Sequence, residues 1–299
     1  MTVFLPDLLD RFLYWMEERQ RIYLRRQQGQ PWPWTDDPIL QQYRFCNVYR
    51  EQDRTTTWIR ENWREPYADH PNLWFALCIA RQINYIDTLA EIGFPEQWQP
   101  QQVLQVMKSR RERGLKVFTS AYLVGGGAPL GVSKIDFMVW QVLDPLWNET
   151  RNKTLPWDKQ DCTLERATMF LSKFRGFGMF IAYEVVTDMR HTRYLRNAPD
   201  IYTWANPGPG AVRGLNRLTG RPLQSSPGRE QLIVEMRELL QIATDRTDPA
   251  ILPKLEMRDI EMSLCEFDKY ERLRAGSGRF GTGRSSMERY YPAELGLRI

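Results

Sequence analysis

Apolar residues recur at intervals of three and four along most of the chain, and polar residues occupy the positions between them. This spacing is typical of amphipathic α-helices. The alternation with period two that marks strands is absent. The pattern therefore predicts an all-α protein without internal repeats, built as a single domain over residues 1–299 with a Gly/Arg-rich C-terminal tail at 275–299. The longest predicted helices are Leu5–Gln28, Ile39–Trp63 and Pro71–Ile92.

Composition narrows the class of protein. Apolar residues make up 42% of the 299 residues, which is enough for a large core. No apolar run reaches the roughly 20 residues of a membrane helix, and the acidic start lacks the features of a signal peptide, so we expect a cytoplasmic protein. Four scattered cysteines and two histidines do not favour a zinc or iron–sulfur centre. No cofactor is firmly implied, and a metal, if used, would be a hard cation such as Mg²⁺ held by carboxylates.

The basic residues permit a nucleic-acid partner without requiring one. The net charge is only +4, but just eight of the 41 basic residues are lysine, and the planar fork of arginine holds phosphate oxygens in pairs. Eleven tryptophans and 13 tyrosines add surfaces on which bases could stack. A G+C-rich genome and ordinary core packing would explain the same composition.

A glycine hinge, "RGFGMF", separates two predicted helices, "TLERATMFLSKF" and "MFIAYEVVTDMRH". Glycines let the backbone turn sharply and approach a ligand closely. The second helix would present its N-terminal N–H groups to a phosphate. A helix, a Gly-hydrophobic-Gly turn and a second helix are typical of a helix-hairpin-helix, so Gly176, Phe177 and Gly178 are predicted to grip DNA. The alternative is an ordinary turn between helices.

Asp200 follows this hinge in "APDIYTW". The spacing resembles that of the helix-hairpin-helix DNA glycosylase superfamily, in which an essential aspartate follows the second glycine. The resemblance implies that Asp200 stands at the start of a helix, beside a base that has left the stack. Phe180 occupies the position at which bifunctional glycosylases carry a lysine, which disfavours base excision through a Schiff base.

A polar cluster lies in "YRFCNVYREQDRTTTW", Tyr43–Trp58. In a helix, steps of three and four residues would place a set of polar side chains on one face, with Asp53 off its edge. The members of that face are Asn47, Arg50, Glu51 and Arg54. A solvated face with ion pairs within the helix is one reading. The surrounding aromatic and apolar residues favour a partly buried stripe, and such stripes often carry function.

Two further clusters follow. In "DIYTWANPGPGAVRGLNRLTGR", prolines and glycines predict a rigid loop, and the helix beginning at Gly210 carries Arg213, Arg217 and Arg221 on one face, which suits phosphates. A basic surface helix is the alternative. In "CEFDKYERLRAGSGR", Glu266 and Lys269 stand at i, i+3 with Asp268 beside them, for which an exposed, salt-bridged helix is the default interpretation.

One apparent nucleotide-binding motif is rejected. Gly126 and Gly131 have the spacing of the glycines in a phosphate-binding P-loop. The Gly-Lys-Ser/Thr that must follow is replaced by Val132, Ser133 and Lys134, and no strand precedes the loop.

The three quoted clusters together resemble the helical proteins of bacteriophage thymine hypermodification, the α-glutamyl/putrescinyl thymine pyrophosphorylases or amino acid:DNA transferases. A related helical domain accompanies the phage 5-hydroxymethyluracil DNA kinases. The motifs cover Tyr43 to Arg279. The resemblance implies a helix-hairpin-helix DNA glycosylase-like bundle. It also implies an enzyme that acts after a kinase has pyrophosphorylated 5-hydroxymethyluracil in double-stranded DNA, and that replaces the pyrophosphate with an amine from an amino acid or putrescine. The missing P-loop favours the transferase over the kinase.

That reaction assigns expected roles. A carboxylate must keep the attacking amine neutral, and the candidates are Asp200, then Glu51, with Asp53 beside it. Aromatics such as Tyr202 and Trp204 could support the extruded base. The substrate and its pyrophosphate would be bound by Asn47, Arg50, Arg54, Trp204, Arg213, Asp268 and Lys269. The duplex would be bound by Gly176, Phe177, Gly178, Arg217 and Arg221.

Two alternatives use the same residues differently. A monofunctional DNA glycosylase acting on a modified pyrimidine would use Asp200 with water as the nucleophile. A non-catalytic protein would bind DNA and present it to a separate 5-hydroxymethyluracil DNA kinase.

Overall fold

The computed structural model describes residues 2–120 and 128–276. Every regular element within them is helical, which confirms the all-α class. The α-helices are α1 (Pro6–Gln27), α2 (Pro38–Gln42), α3 (Arg54–Ile59), α4 (Leu73–Ile83), α5 (Ile86–Ile92), α6 (Pro100–Glu112), α7 (Lys134–Asp136), α8 (Asp144–Thr150), α9 (Leu164–Leu171), α10 (Gly178–Met189), α11 (Pro209–Leu218), α12 (Arg229–Arg246) and α13 (Met257–Arg274). Short 3₁₀ helices span Arg50–Gln52 and Pro156–Asp158, and π-helices span Arg60–Arg64 and Phe137–Leu143. Gly126 of the rejected P-loop and residues 277–299 of the predicted tail lie outside the described residues.

The chain folds as two compact units. The first is formed by the described residues up to 52 and from 202 onward, and the second is Asp53–Ile201. In the first unit, α11 and α12 pack on α13, and α1 packs on both α11 and α13. Within this core the rings of Phe12 and Phe267 pack edge to face, with 5.4 Å between their centroids. The predicted single domain over 1–299 stays a prediction.

Two glycines set the closest helix contact of the first unit. A Cβ at Gly210 would lie 2.3 Å from Cys265 Sγ, and one at Gly214 would lie 2.4 Å from the carbonyl oxygen of Leu264. Side chains at these positions would therefore force α11 away from α13. The predicted helix at Gly210 is confirmed, and the structure shows that its glycines serve close packing on α13.

The second unit is built around α4, in which every residue from Leu73 to Ile83 is buried. It packs against α5, α10 and the π-helix Phe137–Leu143. Arg81 is 3% exposed and bonds the fully buried Asp188 through Nε and Nη2, both at 2.5 Å. A buried ion pair of this geometry satisfies both charges within the core.

Two predicted long helices are interrupted. The prediction of one helix over Ile39–Trp63 is wrong, because α2 ends and the backbone is extended at Tyr43. Phe45 and Val48, which follow, are buried in the core of the first unit. Tertiary packing here overrides local helix propensity. The helix expected over Pro71–Ile92 is divided at Asn84, which adopts a left-handed conformation with φ of 46° and ends α4.

Candidate functional site

The glycine hinge forms the predicted turn between α9 and α10. Gly176 and Gly178 have φ of 81° and 50°, a region that other residues rarely adopt. Gln82 Nε2 donates to the Gly176 carbonyl at 2.9 Å, and Phe177 is only 2% exposed. Phe177 thus anchors the turn in the core, so its side chain is not available to DNA. The grip on a phosphate stays a prediction for the backbone of this turn.

Asp200 lies in a run of turns, and the prediction that it starts a helix is wrong, because the next helix begins only at Pro209. Its carboxylate instead accepts the backbone N–H groups of Leu164 at 2.7 Å and Glu165 at 3.0 Å, in the first turn of α9. Burial raises the pKa of Asp200 above its ordinary value, against the lowering effect of these two bonds. Asp200 therefore binds the first turn of α9, and its catalytic role stays a prediction.

The cluster of residues 43–58 does not share one helical face, since the chain is irregular before the 3₁₀ helix Arg50–Gln52 and becomes α-helical only at Arg54. The predicted partial burial is nevertheless present, with Asn47 and Arg50 each 8% exposed. Asn47 Nδ2 donates to the carbonyl of Gln52 at 2.9 Å. Glu51 is half-buried in the 3₁₀ helix of the first unit. Asp53 and Arg54 belong to the second unit, where they begin α3.

The arginines of α11 are held by buried carboxylates. Asp268, which is fully buried on α13, accepts from Arg213 Nε at 2.8 Å and from Arg217 Nε at 2.9 Å. It also pairs with Arg272 Nη2 at 3.1 Å. Arg221 binds Glu235 through both outer nitrogens, at 2.5 and 2.7 Å. Arg213, Arg217 and Arg221 are thus partly exposed and ion-paired, and the DNA-binding role of Arg217 and Arg221 stays a prediction.

Glu266 and Lys269 form the predicted i, i+3 ion pair. The exposed setting expected for it is wrong, because Glu266 is 1% exposed. Burial by itself lowers the pKa of the Lys269 ammonium, but the attraction of Glu266 outweighs it and the net shift is upward. Lys269 is consequently a cation at neutral pH, suited to binding an anion and unsuited to nucleophilic attack.

Glu266 also connects the early polar segment to α13. Its Oε2 accepts the backbone N–H of Cys46 at 3.1 Å, next to Asn47. Residues 266–269 of α13 are thus the meeting point of the three sequence clusters, bonded to the 43–50 segment through Glu266 and to α11 through Asp268. We refer to Cys46, Asn47, Arg213, Arg217, Glu266, Asp268 and Lys269 as the α13 cluster.

The two candidate aromatics differ in access. Trp204 is 4% exposed, and the guanidinium of Arg229 lies 5.5 Å from its ring centroid. Tyr202 is 45% exposed. In this arrangement Tyr202 is the aromatic that a base could reach, while Trp204 supports the core.

Sequence reasoning missed a basic groove in the second unit, which we call the hairpin groove. Its volume is about 370 Å³, and it lies beside the glycine hinge. Its lining residues are Gln141, Val142, Pro145, Leu146, Glu149, Thr150, Lys153, Phe170, Lys173, Phe174 and Arg175. The available signal was Lys173 and Arg175, which directly precede the hinge but belong to no periodic pattern.

The described residues contain no group of three His, Cys, Asp or Glu side chains placed to hold a metal ion. The described helices also include none with the length and hydropathy that a bilayer crossing requires.

Comparison with known proteins identifies the family. Residues 6–279 match the family described as 5-hmdU DNA kinase, helical domain. The 5-hmdU DNA kinase of Bacillus phage SP10 is 29% identical over 291 residues, in an alignment that covers 88% of this chain and 45% of the relative. The chain thus spans less than half the length of this relative. No solved structure matches the chain. The relation to the helical domain that accompanies phage kinases is confirmed, and the chain belongs to the 5-hmdU DNA kinase helical-domain family.

Proposed function

We propose that this chain acts on phage DNA containing 5-hydroxymethyluracil, and that it replaces the pyrophosphate of the pyrophosphorylated base with an amine. The observation that carries the proposal is the α13 cluster. Two of the sequence clusters bond to the third on α13, and the two carboxylates that accept these bonds, Glu266 and Asp268, are buried.

Burial of the Glu266 and Asp268 carboxylates is not explained by stability alone. Removing an ion from water is costly, and a buried ion pair often stabilises a fold no better than apolar residues of the same size. Buried, strongly coupled charges occur frequently at functional sites, where they hold a polar group in a fixed orientation. In the α13 cluster the oriented groups are cations, which suits a substrate that carries phosphates.

Arg213 is the residue best placed to bind the departing pyrophosphate. Its side chain is 30% exposed, while the Asp268 carboxylate that fixes it is fully buried. The bond to Asp268 uses Nε, so the two outer nitrogens can donate to phosphate oxygens. A fixed cation at this point would stabilise the negative charge that develops on the leaving group. Lys269 supplies a second, permanently charged cation in the same cluster.

In the proposed step, the amine nitrogen bonds to the 5-methylene carbon as the bond from that carbon to the pyrophosphate oxygen breaks. The electron pair of the broken bond leaves with the pyrophosphate, and a carboxylate takes the proton from the attacking nitrogen. Glu51 becomes the first candidate for this base, because it is half-buried in the same unit as the α13 cluster. Asp200 becomes the second, since both its oxygens accept backbone N–H groups. Metal involvement is no part of this proposal.

A second candidate is a non-catalytic role in which the chain presents DNA to a 5-hydroxymethyluracil kinase. The favouring observations are that the match covers only 45% of the phage kinase and that this chain belongs to a family described as a helical domain. A hydrolytic glycosylase is less favoured, because the acid it would use is bonded to the start of α9.

Nucleoside mass spectrometry separates these functions. Duplex DNA bearing the pyrophosphorylated base is incubated with the protein and a mixture of amino acids and putrescine. We expect a nucleoside that has gained the amine and a matching release of pyrophosphate. Abasic sites would indicate a glycosylase instead. An unchanged base, together with stimulation of an added kinase, would support the presenting role and contradict the transferase.

A further inference from the structure

The hairpin groove contains cations that form no ion pair with the described residues. Lys153, Lys173 and Arg175 are exposed and line the groove. Within residues 2–120 and 128–276, no hydrogen bond or ion pair involves their charged groups. The single acid of the lining is Glu149, so the groove has an excess of two positive charges. This excess favours an anionic ligand.

The rest of the groove lining is mostly apolar and aromatic. Val142, Pro145 and Leu146 line it together with Phe170 and Phe174, whose ring centroids lie 5.4 Å apart. Nucleic-acid sites without sequence preference combine these same two elements, a positive track for the phosphates and aromatic rings against which bases stack. The groove volume of about 370 Å³ is at the lower end of the usual range for ligand sites. It suits one nucleotide and is too small for a duplex.

The groove is joined directly to the hinge and to an irregular helix. Gln141 and Val142 belong to the π-helix Phe137–Leu143, and π-helical segments occur frequently at functional sites. A Cβ added to Gly176 would lie 2.6 Å from Val142 Cγ2, so the hinge backbone packs directly against the groove wall. Arg175 is held over the Phe137 ring at 5.1 Å, which fixes one cation of the groove in place.

We propose that the hairpin groove binds a single-stranded segment of DNA, with phosphates on Lys153, Lys173 and Arg175 and a base against Phe174. The inference rests on the proposed function, because it takes DNA as the substrate. It adds a strand-binding site in the second unit that does not depend on which residue performs the chemistry. A single strand is favoured over a duplex because only unstacked bases can use the aromatic wall.

Fluorescence anisotropy with a labelled single-stranded oligonucleotide tests this site. The test variant combines Lys153→Ala, Lys173→Ala and Arg175→Ala, all at exposed positions, so the fold should be retained and thermal unfolding would verify it. We expect affinity to fall by about tenfold or more. The slope of log K against log salt should become less negative by about 2, because the variant loses three phosphate contacts and each contact to a single strand contributes about −0.7 to that slope.

A matched variant removes three exposed cations of the same unit that do not line the groove: Arg111→Ala, Lys159→Ala and Arg196→Ala. We expect it to change affinity by less than about twofold, because these cations lie outside the groove. The net charge falls by the same amount in both variants, so a difference between them reports on position. Equal losses in the two variants would overturn the groove as a site, as would unaltered binding by the groove variant or no binding by the wild type. Amine transfer measured at saturating duplex DNA reports on the proposed function separately, so the two ideas fail in different assays.

Discussion

The arginines of α11, with Arg221 just after its end, and the cations of the hairpin groove have opposite settings. Arg213, Arg217 and Arg221 recur every four residues and looked suited to phosphates, yet each is bonded to a buried carboxylate. Lys153, Lys173 and Arg175 have no comparable regularity, and they line a groove that holds only one acid.

This difference shows that the spacing of charged residues predicts which face of a helix they occupy, but not which groups they contact in the folded protein. Asp268 is on another helix and far along the chain from Arg213 and Arg217, so no local pattern reveals the pairing. A regular row of cations on a helix can be the complement of an internal anion. Cations in an irregular segment can be the ones left for a ligand.

The largest effect is expected from Asp268→Ala. Removing this carboxylate takes from Arg213 and Arg217 the group that holds them against α13, and from Arg272 an ion pair within that helix. Breaking a buried ion pair in this way lowers the free energy of unfolding by about 3–5 kcal/mol. Urea unfolding would measure it. Asp245→Ala, at an exposed position, is the control and should stay within about 0.5 kcal/mol. A loss as small as the control's would mean that the α11 arginines do not depend on Asp268.

A smaller loss is expected from Gly176→Ala, which connects the hinge to the groove. The left-handed backbone adds about 1–2 kcal/mol for a residue other than glycine. The clash with the Val142 methyl groups adds about 1–3 kcal/mol of overpacking. Gly178→Ala is the matched control, since its Cβ would meet nothing within 4 Å and only the backbone strain applies. Equal destabilisation of the two variants would show that Gly176 does not brace the groove wall.

Glu149→Gln should act in the opposite direction to the cation variants. It removes the one negative charge of the groove lining, so the affinity for a single-stranded oligonucleotide should rise by about two- to fivefold at low salt. Glu112→Gln removes an exposed acid outside the groove and should leave affinity unchanged. Tighter binding by both variants would mean that only the overall charge matters.

The subtlest effect concerns Asp200. In the folded protein the pKa of the Asp200 carboxyl lies above its ordinary value of 3.8. The stabilisation that Asp200 contributes is therefore fully present below pH 3.8 and is lost as the pH rises through the raised pKa. The free energy of unfolding of the wild type, relative to Asp200→Asn, should therefore fall from acidic to neutral pH. A difference that grows with pH would show that the α9 backbone bonds dominate the titration.

The sequence predicted the helical class and the long helix α1 to within one residue at each end, because its apolar stripe follows the helical period. It failed at residues 43–53, where Phe45 and Val48 are buried by contacts that are distant in sequence. It also did not reveal that Asp200 bonds to the start of α9, because Leu164 and Glu165 are distant from it in sequence. The groove cations were not found because their position depends on how α8 and the α9–α10 turn pack.

The most direct test of the central claim follows an isotope into the base. DNA bearing the pyrophosphorylated base is incubated with ¹⁵N-labelled amine and either wild-type protein or Arg213→Ala, and the nucleosides are analysed by mass spectrometry. We expect the label in the wild-type nucleoside and a large loss of labelling in the variant, with single-strand binding unchanged. A wild-type nucleoside that retains its pyrophosphate and carries no ¹⁵N would contradict amine transfer by this chain.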